Sequence, residues 1–232
     1  TFRIGGPAEA YVCPGNEEEL GKVICLCNEH GIPWRVLGNG SNLLVSDKGI
    51  KGVVIAMEGN WSHARTEGTV IHAGAGELLA RAARAALDHC LTGMEFAAGI
   101  PGSVGGALVM NAGAYGSEMK DILKSARVMT NQGQVLELSL DELELGYRTS
   151  CIPDRGYTVL EASFQLKPGS RADIEARMKE LADRRREKQP LEYPSAGSTF
   201  KRPQGYFAGK LIEDAGLRGY QVGGAQVSEK HC

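Results

Sequence analysis

The sequence lacks the features that mark several large classes of protein. It has no basic excess, because 26 Lys and Arg stand against 28 Asp and Glu and the net charge is -2. The electrostatic footprint of a nucleic-acid-binding protein is therefore missing. The apolar runs are far too short to cross a bilayer, and no signal-peptide pattern opens the chain. We expect a cytoplasmic protein that neither binds nucleic acid nor inserts into a membrane.

Cysteine and histidine are absent from the spacings that hold metals. The six cysteines include no C-x-x-C pair, and the five histidines form no H-E-x-x-H pattern. The sequence therefore predicts no metal site. We expect reduced thiols that pack as small hydrophobic side chains.

Glycine, in contrast, is abundant and unevenly distributed. The 31 glycines among 232 residues cluster at positions 38–40, 74–76, 99–116 and 197–224. Such clusters indicate built loops rather than flexible linkers. The 42% hydrophobic and 23% charged residues are ordinary for a globular protein. Residues 189–194 contain two prolines and resemble a linker, and the sequence changes character from about Ser195, which predicts a second domain.

Hydrophobic periodicity predicts alternating strands and helices in the first part of the chain. Asn16 followed by Glu19 predicts the start of a helix, and the segment 34–37 predicts the strand that completes a β-α-β unit. Residues 141–146 predict a short helix. A hairpin is predicted over residues 126–138, and a strand with one buried face over residues 160–166.

Two standard phosphate-binding patterns fail in this sequence. The P-loop pattern G-x-x-x-x-G-K-[ST] is absent. The dinucleotide pattern G-x-G-x-x-G fails after both residues 38–40 and residues 74–76, because Leu43 and Leu79 stand where the third glycine belongs. A nicotinamide site of the Rossmann type is therefore not predicted.

Two other glycine-rich loops are candidates for binding a diphosphate. One comprises residues 38–42, and the other comprises residues 99–116 with Ser103 and Asn111. Glycine allows backbone N–H groups to approach phosphate oxygens closely, and small hydroxyls add further donors. The alternative is that both loops are tight turns that require positive φ values.

These loops belong to an ordered set of motifs that spans the chain. The motifs are TFRIGGPA at 1–8, LGNGSN at 37–42, GIPGSVGG at 99–106, NAGAYG at 111–116, GYRTS at 146–150, AGSTFKRP at 196–203, GKLI at 209–212 and VGGA at 222–225. The early loops alone resemble the wider vanillyl-alcohol-oxidase family of FAD domains. The whole set, and above all its more specific motifs Y-R-x-S and A-G-S-x-F-K, resembles the UDP-N-acetylenolpyruvoylglucosamine reductase family.

The resemblance implies an α+β fold in three parts. An FAD-binding region of the vanillyl-alcohol-oxidase type would comprise two subdomains, residues 1–60 and 61–190, with FAD between them. A smaller C-terminal α+β substrate domain would comprise residues 191–232. We expect missing segments at both ends, because the chain starts and stops inside plausible structured sequence. The resemblance also implies a catalytic glutamate that would lie beyond Cys232. The spacing before Ser198 favours the family type that lacks a tyrosine-containing insertion.

In this family NADPH reduces FAD, and hydride then passes to C3 of the enolpyruvyl ether of UDP-N-acetylglucosamine. A serine protonates C2, which gives UDP-N-acetylmuramate for peptidoglycan. By motif match the serine is Ser198 and the arginine that binds the substrate carboxylate is Arg148. A guanidinium suits the charge that develops there, and a well-positioned hydroxyl can protonate a strongly basic carbon. Taken alone, Arg148 could equally be a surface ion pair and Ser198 a turn hydroxyl.

The motifs also carry over binding residues. Arg202 departs from the family, which often has Asn there. The residues implied for FAD are Gly38, Asn39, Gly40, Ser41, Asn42, Gly99, Pro101, Gly102, Ser103, Gly106, Asn111, Gly113 and Ala114. Those implied for substrate are Tyr115, Tyr147, Lys201, Arg202 and Gln221.

Two rival functions stay open on the sequence alone. One is a flavin-dependent oxidase of the same superfamily, which would reduce O₂ and would not need Ser198 and Arg148 at the flavin. The other is a non-catalytic module that binds flavin or a nucleotide sugar.

Overall fold

The computed structural model describes residues 2–195 and 197–232. Two units are distinguished, Ile4–Leu181 and Ala182–Cys232, the latter grouped with the N-terminal residues up to Arg3. Thr1 and Ala196, which open two of the quoted motifs, lie outside the described residues. The sequence-based domain limits after residues 60 and 190 stay predictions.

Short strands and helices alternate along the chain. In order they are β1 Ala8–Val12, α1 Glu17–Glu29, β2 Trp34–Leu37, β3 Ile50–Ala56, β4 Ala64–Glu67, β5 Val70–Gly74, α2 Leu79–Asp88, β6 Leu91–Thr92, α3 Val104–Val109, β7 Gly113–Ala114, β8 Ser117–Glu118, β9 Leu123–Met129, β10 Val135–Ser139, β11 Thr158–Gln165, β12 Lys167–Pro168, α4 Arg171–Lys188, α5 Ala208–Asp214, β13 Gln221–Val222 and β14 Ala225–Gln226. No helix in the described ranges is both long and apolar enough to span a membrane.

The first sheet is parallel and has the strand order β1-β3-β2. The predicted helix start is confirmed, because the side chain of Asn16 accepts a hydrogen bond from the Glu19 amide at 2.9 Å. Glu19 in turn accepts from the amide of Gly15 at 2.6 Å. The β-α-β unit differs from a simple one in that β3, from later in the chain, lies between β1 and β2.

The second sheet is antiparallel and has the order β10-β9-β11-β5-β4. Its central strand β11 confirms the predicted alternation, because Leu160, Ala162 and Phe164 are at most 1% exposed. The predicted hairpin is also confirmed as β9 and β10. Helix α2 contacts β4 and β5 and buries alanines against this sheet, which allows close packing.

The glycine-rich segment 99–116 contains more regular structure than its composition suggested. Helix α3, with Gly105 and Gly106 inside it, occupies Val104–Val109. A Cβ on Gly105 would lie 3.1 Å from Cβ of Ala75, so the helix approaches its neighbour closely. Tertiary packing therefore outweighs the weak helix propensity of glycine here.

The short helix predicted over residues 141–146 is wrong, because this segment is a turn. Glu144 has a φ of +51°, which lies outside the right-handed helical region and ends any helix. Cys151 donates its amide to the carbonyl of Leu143 at 3.0 Å. Contacts with the following chain thus take the place of the helical hydrogen bonds.

The unit Ala182–Cys232 contains α5 and a two-stranded hairpin of β13 and β14. The hairpin turn includes Gly223, whose φ is +56°. No residue of α5 is buried, although the helix carries Leu211 and Ile212.

Candidate functional site

The two glycine-rich loops that the sequence singled out lie against each other. The side-chain amide of Asn39 donates to the carbonyl of Pro101 at 2.6 Å. A Cβ added to Gly38 would lie 2.1 Å from the Oγ of Ser103. The structure therefore brings residues 38–42 and 99–103 together, although about 60 positions separate them in the chain.

The first of these loops begins at the carboxyl end of a parallel strand. Strand β2 ends at Leu37, which pairs with Ala56 at the end of β3. In open sheets with parallel strands, ligands bind outside the carboxyl ends of the strands. Glycine is required in two ways here, since Gly40 has a φ of +62° and Gly38 lacks room for a side chain. The tight-turn interpretation is therefore confirmed for Gly40, and diphosphate binding by this loop stays a prediction.

Some backbone amides of the second loop already have partners within the protein. Val104 donates to the carbonyl of Glu77 at 2.8 Å, and Gly105 donates to the carbonyl of Ala75 at 2.8 Å. These two amides fasten the start of α3 to the turn between β5 and α2. The candidate diphosphate donors are consequently the amides and hydroxyls that precede the helix, around Gly102 and Ser103.

Glu77 supports this turn with its side chain as well. It is 1% exposed, and Oε1 accepts from the amide of Leu78 at 2.8 Å. Nε of Arg81 lies 3.2 Å from the same oxygen. The sequence reasoning did not identify this buried carboxylate, because a glutamate after a glycine turn carries no distinctive spacing.

Arg148 lies in a tight turn that closes against the second loop. The backbone of Gly146 exchanges hydrogen bonds with Thr149, and Arg148 has a φ of +55°. The guanidinium donates to the carbonyl of Asn111 at 3.3 Å and to that of Gly113 at 2.8 Å. The Y-R-x-S motif is therefore joined to the N-A-G-A-Y-G motif rather than forming a surface ion pair.

Two predicted substrate-binding tyrosines flank this region. The ring centroid of Tyr147 lies 5.3 Å from the guanidinium carbon of Arg148, a distance suited to a cation–π contact. Tyr115 and Gly116 form the two-residue turn between β7 and β8, with φ values of +56° and +87°. Positive φ at both positions is the requirement of a type I′ hairpin turn. The hydroxyl of Tyr115 donates to the carbonyl of Leu181 at 3.2 Å.

The nearby Cys151 has the character of a packing residue. It is 5% exposed, and burial raises the pKa of its thiol. A neutral thiol is a poor nucleophile, so this cysteine does not suggest covalent catalysis. Within residues 2–195 and 197–232, His, Cys, Asp and Glu side chains form no group of three that could hold a metal ion.

The predicted residues of the second unit are exposed and make local contacts. The Oγ of Ser198 lies 3.5 Å from Nε2 of His231. The guanidinium carbon of Arg202 lies 4.7 Å from the centroid of the Phe207 ring. Gln221 donates its side-chain amide to the carbonyl of Gly223 at 2.9 Å. Lys201 is exposed as well.

Sequence reasoning also missed Ser150 and His231. Ser150 is 5% exposed and donates its hydroxyl to the carbonyl of Val109 at 2.9 Å. Ser150 is the serine of the Y-R-x-S motif, so the sequence did mark the residue. The motif did not show that its hydroxyl binds a backbone carbonyl. His231 stands in no recognisable spacing, and only the fold brings it near Ser198.

Family models match two parts of the chain. A family model described as FAD binding domain matches residues 8–139. A model of the UDP-N-acetylenolpyruvoylglucosamine reductase C-terminal domain matches residues 189–232. The 6-hydroxy-D-nicotine oxidase of Arthrobacter nicotinovorans aligns with a TM-score of 0.55 and 20% identity, over 72% of this chain and 38% of that one. This likeness concerns the fold alone. Together with the family-model match over residues 8–139, it defines an FAD-binding protein with a fold of the vanillyl-alcohol-oxidase type.

The more similar relatives narrow this class. UDP-N-acetylenolpyruvoylglucosamine reductase of Lachnoclostridium phytofermentans is 56% identical over 100% of this chain and 76% of its own length. That of Clostridium perfringens is 54% identical over 99% of this chain and 75% of its own length. The crystal structure of the Thermus caldophilus reductase aligns with a TM-score of 0.87 and 39% identity, covering 99% of this chain and 81% of that one. The chain belongs to the UDP-N-acetylenolpyruvoylglucosamine reductase family, and it spans about three quarters of the length of these curated relatives.

Proposed function

We propose that this protein is an NADPH-dependent flavoenzyme that reduces UDP-N-acetylglucosamine enolpyruvate to UDP-N-acetylmuramate. The observation that carries the proposal is that the Arg148 turn is hydrogen-bonded to the candidate FAD loop. An arginine fixed beside a flavin loop suits a substrate with a carboxylate. Identity of 54–56% to reductases of this name, over 99–100% of the chain, supports the same conclusion.

The residues of the two loops fit an FAD diphosphate. They contact each other, their glycines leave the backbone amides without side chains beside them, and Ser41 and Ser103 add hydroxyls. When bound, FAD supplies a carrier that accepts hydride from NADPH and gives it up to the substrate. The residues that we propose for it are the loop residues 38–42, 99, 101–103 and 106, with Gly113, Ala114 and the backbone of Asn111; the Asn111 side chain is bonded within the protein at both ends of its amide.

Arg148 is proposed to bind the substrate carboxylate. Two hydrogen bonds to backbone carbonyls orient its guanidinium, and a guanidinium has five N–H donors, so others are left for a carboxylate. Negative charge builds up on that carboxylate as hydride reaches C3. An oriented cation stabilises this charge without needing to reorganise.

Ser198 is proposed to protonate C2. Its hydroxyl is exposed and therefore available to a ligand. The developing carbanion is strongly basic, so the position of the hydroxyl matters more than its acidity. Tyr115, Tyr147, Lys201, Arg202 and Gln221 are proposed to bind the rest of the substrate.

The product of this reaction serves peptidoglycan precursor synthesis. We accordingly propose a cytoplasmic location and a contribution to cell-wall biogenesis, cell shape, cell division and the cell cycle. We also propose that the chain has an FAD-binding part in two subdomains, residues 1–60 and 61–190, followed by a substrate domain from residue 191.

An anaerobic titration in two steps tests the proposal. Purified protein should absorb at about 450 nm, as flavins do in general, and NADPH should bleach this absorbance. Addition of the enolpyruvyl substrate without oxygen should restore the absorbance in a 1:1 ratio. Reoxidation by oxygen but not by this substrate would point to an oxidase, and a colourless protein that takes up no flavin would refute the assignment.

A further inference from the structure

The turn that carries Arg148 is fastened to the segment after α3 by side-chain hydrogen bonds in both directions. Asn111 donates its Nδ2 to the carbonyl of Gly146 at 2.9 Å. Ser150 donates its hydroxyl to the carbonyl of Val109 at 2.9 Å. Arg148 itself donates two hydrogen bonds back to the same segment. The arginine and the end of the glycine-rich loop are therefore linked into one hydrogen-bonded assembly.

Asn111 lies at the centre of this assembly. It is 0% exposed, and its amide is bonded at both ends, since Oδ1 accepts from the amide of Lys120 at 3.0 Å. Its φ is +38°, in a region that asparagine tolerates better than most other residues with a side chain. The side chain is thus turned away from solvent and bonded to two separate segments of backbone.

We propose that Asn111 is a positioning residue, which holds the turn Gly146–Ser150 so that Arg148 presents its guanidinium to the substrate carboxylate. This inference rests on the proposed function. It gives the side chain of Asn111 a role that differs from direct contact with FAD, since both ends of its amide are bonded within the protein. Ser150 is a second, weaker support of the same turn.

The backbone of the turn explains why such support is needed. Arg148 is held at a φ of +55°, in the left-handed region that is unfavourable for a residue with a side chain. Without external hydrogen bonds the turn would relax towards other conformations and carry the guanidinium with it. A displacement of about 1 Å can slow an enzymatic step by roughly 100-fold. Two buried hydrogen bonds at Asn111 oppose this displacement.

The test measures two half-reactions in the Asn111→Gly variant: reduction of the flavin by NADPH, and reoxidation of the flavin by the enolpyruvyl substrate. Glycine accepts the positive φ, so only the side-chain bonds are lost. We expect flavin content and the rate of bleaching by NADPH to stay within about twofold of the unaltered protein, because neither needs Arg148. Reoxidation by the enolpyruvyl substrate should slow roughly 10- to 100-fold. The Kd of that substrate for the oxidised protein, measured by calorimetry, should rise about tenfold.

Asn28→Ala is the matched control. Asn28 also uses both ends of its amide, donating to the carbonyl of Asn131 at 2.7 Å and accepting from Nε1 of Trp34 at 2.9 Å. These bonds link α1 to other segments of the unit Ile4–Leu181. They involve neither the two candidate FAD loops nor the turn that carries Arg148. Asn28 is exposed, so a smaller loss of thermal stability is expected, with both half-reactions unchanged.

A double-mutant cycle with Arg148→Ala separates positioning from general damage. If Asn111 acts through Arg148, adding Asn111→Gly to Arg148→Ala should slow reoxidation by less than threefold, since effects through one residue do not add. Full additivity, equal slowing of both half-reactions, or loss of flavin from Asn111→Gly would each overturn the inference. Should Asn111→Gly fail to fold, Ser150→Ala carries the same test, with about fivefold slower reoxidation expected. An unaltered protein that binds flavin but does not reduce the enolpyruvyl substrate would refute the proposed function itself.

Discussion

The side-chain amide of Asn39 donates to the carbonyl of Pro101 at 2.6 Å, and this bond joins the loop after β2 to the loop before α3. One loop leaves the parallel sheet, and the other leads towards the strands of the antiparallel sheet. The candidate diphosphate site is therefore assembled from parts of two sheets. Its geometry depends on contacts that span the unit Ile4–Leu181.

Replacing Asn39 by alanine should weaken flavin binding. The loss of one hydrogen bond of this kind costs about 1 kcal/mol, which corresponds to roughly a fivefold rise in the Kd of FAD. Titration of deflavinated protein, followed by flavin fluorescence, measures this change. Asn60→Ala is the control, because Asn60 also donates to a backbone carbonyl, that of Gly15 at 3.0 Å. If both variants bind FAD equally well, the link between the loops has no part in binding.

Gly38→Ala should destabilise the protein because its Cβ would lie 2.1 Å from the Oγ of Ser103. Overpacking of this kind costs about 1–3 kcal/mol in the free energy of unfolding. Ser103→Ala removes the obstructing hydroxyl and leaves the Cβ at 3.2 Å. The double variant should therefore be more stable than Gly38→Ala alone, as judged by thermal unfolding. Simple addition of the two single effects would contradict the steric explanation.

Ser198→Ala should separate reduction of the flavin from completion of turnover. NADPH should bleach this variant at the normal rate, whereas formation of UDP-N-acetylmuramate should fall by about 100-fold or more, the range typical of a positioned acid. Rapid-mixing absorbance and product analysis follow the two steps. Thr199→Ala is the control, because its hydroxyl stands at the variable position of the A-G-S-x-F-K motif. Normal product formation by Ser198→Ala would remove Ser198 as the proton donor.

The Glu142 carboxylate should make the stability of the protein depend on pH. Hydrogen bonds from the backbone amide and the hydroxyl of Ser139 lower its pKa. A depressed pKa means that the ionised carboxylate stabilises the folded state above the unfolded-state value of about 4.3. This contribution disappears as the pH falls through the lower folded-state pKa.

Glu142→Gln should therefore be less stable than the unaltered protein at pH 7, and the difference should shrink below about pH 4. Denaturant unfolding at both pH values measures it. Ser139→Ala removes one of the two hydrogen bonds. It should also be less stable than the unaltered protein at pH 7, by a smaller amount than Glu142→Gln, and this difference should also shrink below about pH 4. A stability difference that is equal at both pH values would show that charge on Glu142 has no part in it.

Local sequence signals predicted most individual elements. The Asn16 cap, the strand at Trp34–Leu37 and the alternation in β11 depend on neighbours in the chain, and all three appear in the structure. Residues 141–146 failed because their turn depends on contacts with Cys151 and on the positive φ of Glu144. Helix α3 was also missed, because packing against Ala75 overrides the low helix propensity of its glycines.

The sequence by itself determined most of the strands and helices, where glycine-rich loops interrupt them, and which family motifs the chain carries, because these depend on short-range spacing. Only the tertiary structure decided that Asn39 meets Pro101 and that the side chain of Asn111 is buried between Gly146 and Lys120. The physical reason is distance along the chain. A hydrogen bond between residues 35 or 62 positions apart leaves no periodic trace in the sequence, and it forms only when the sheets and α3 pack into place.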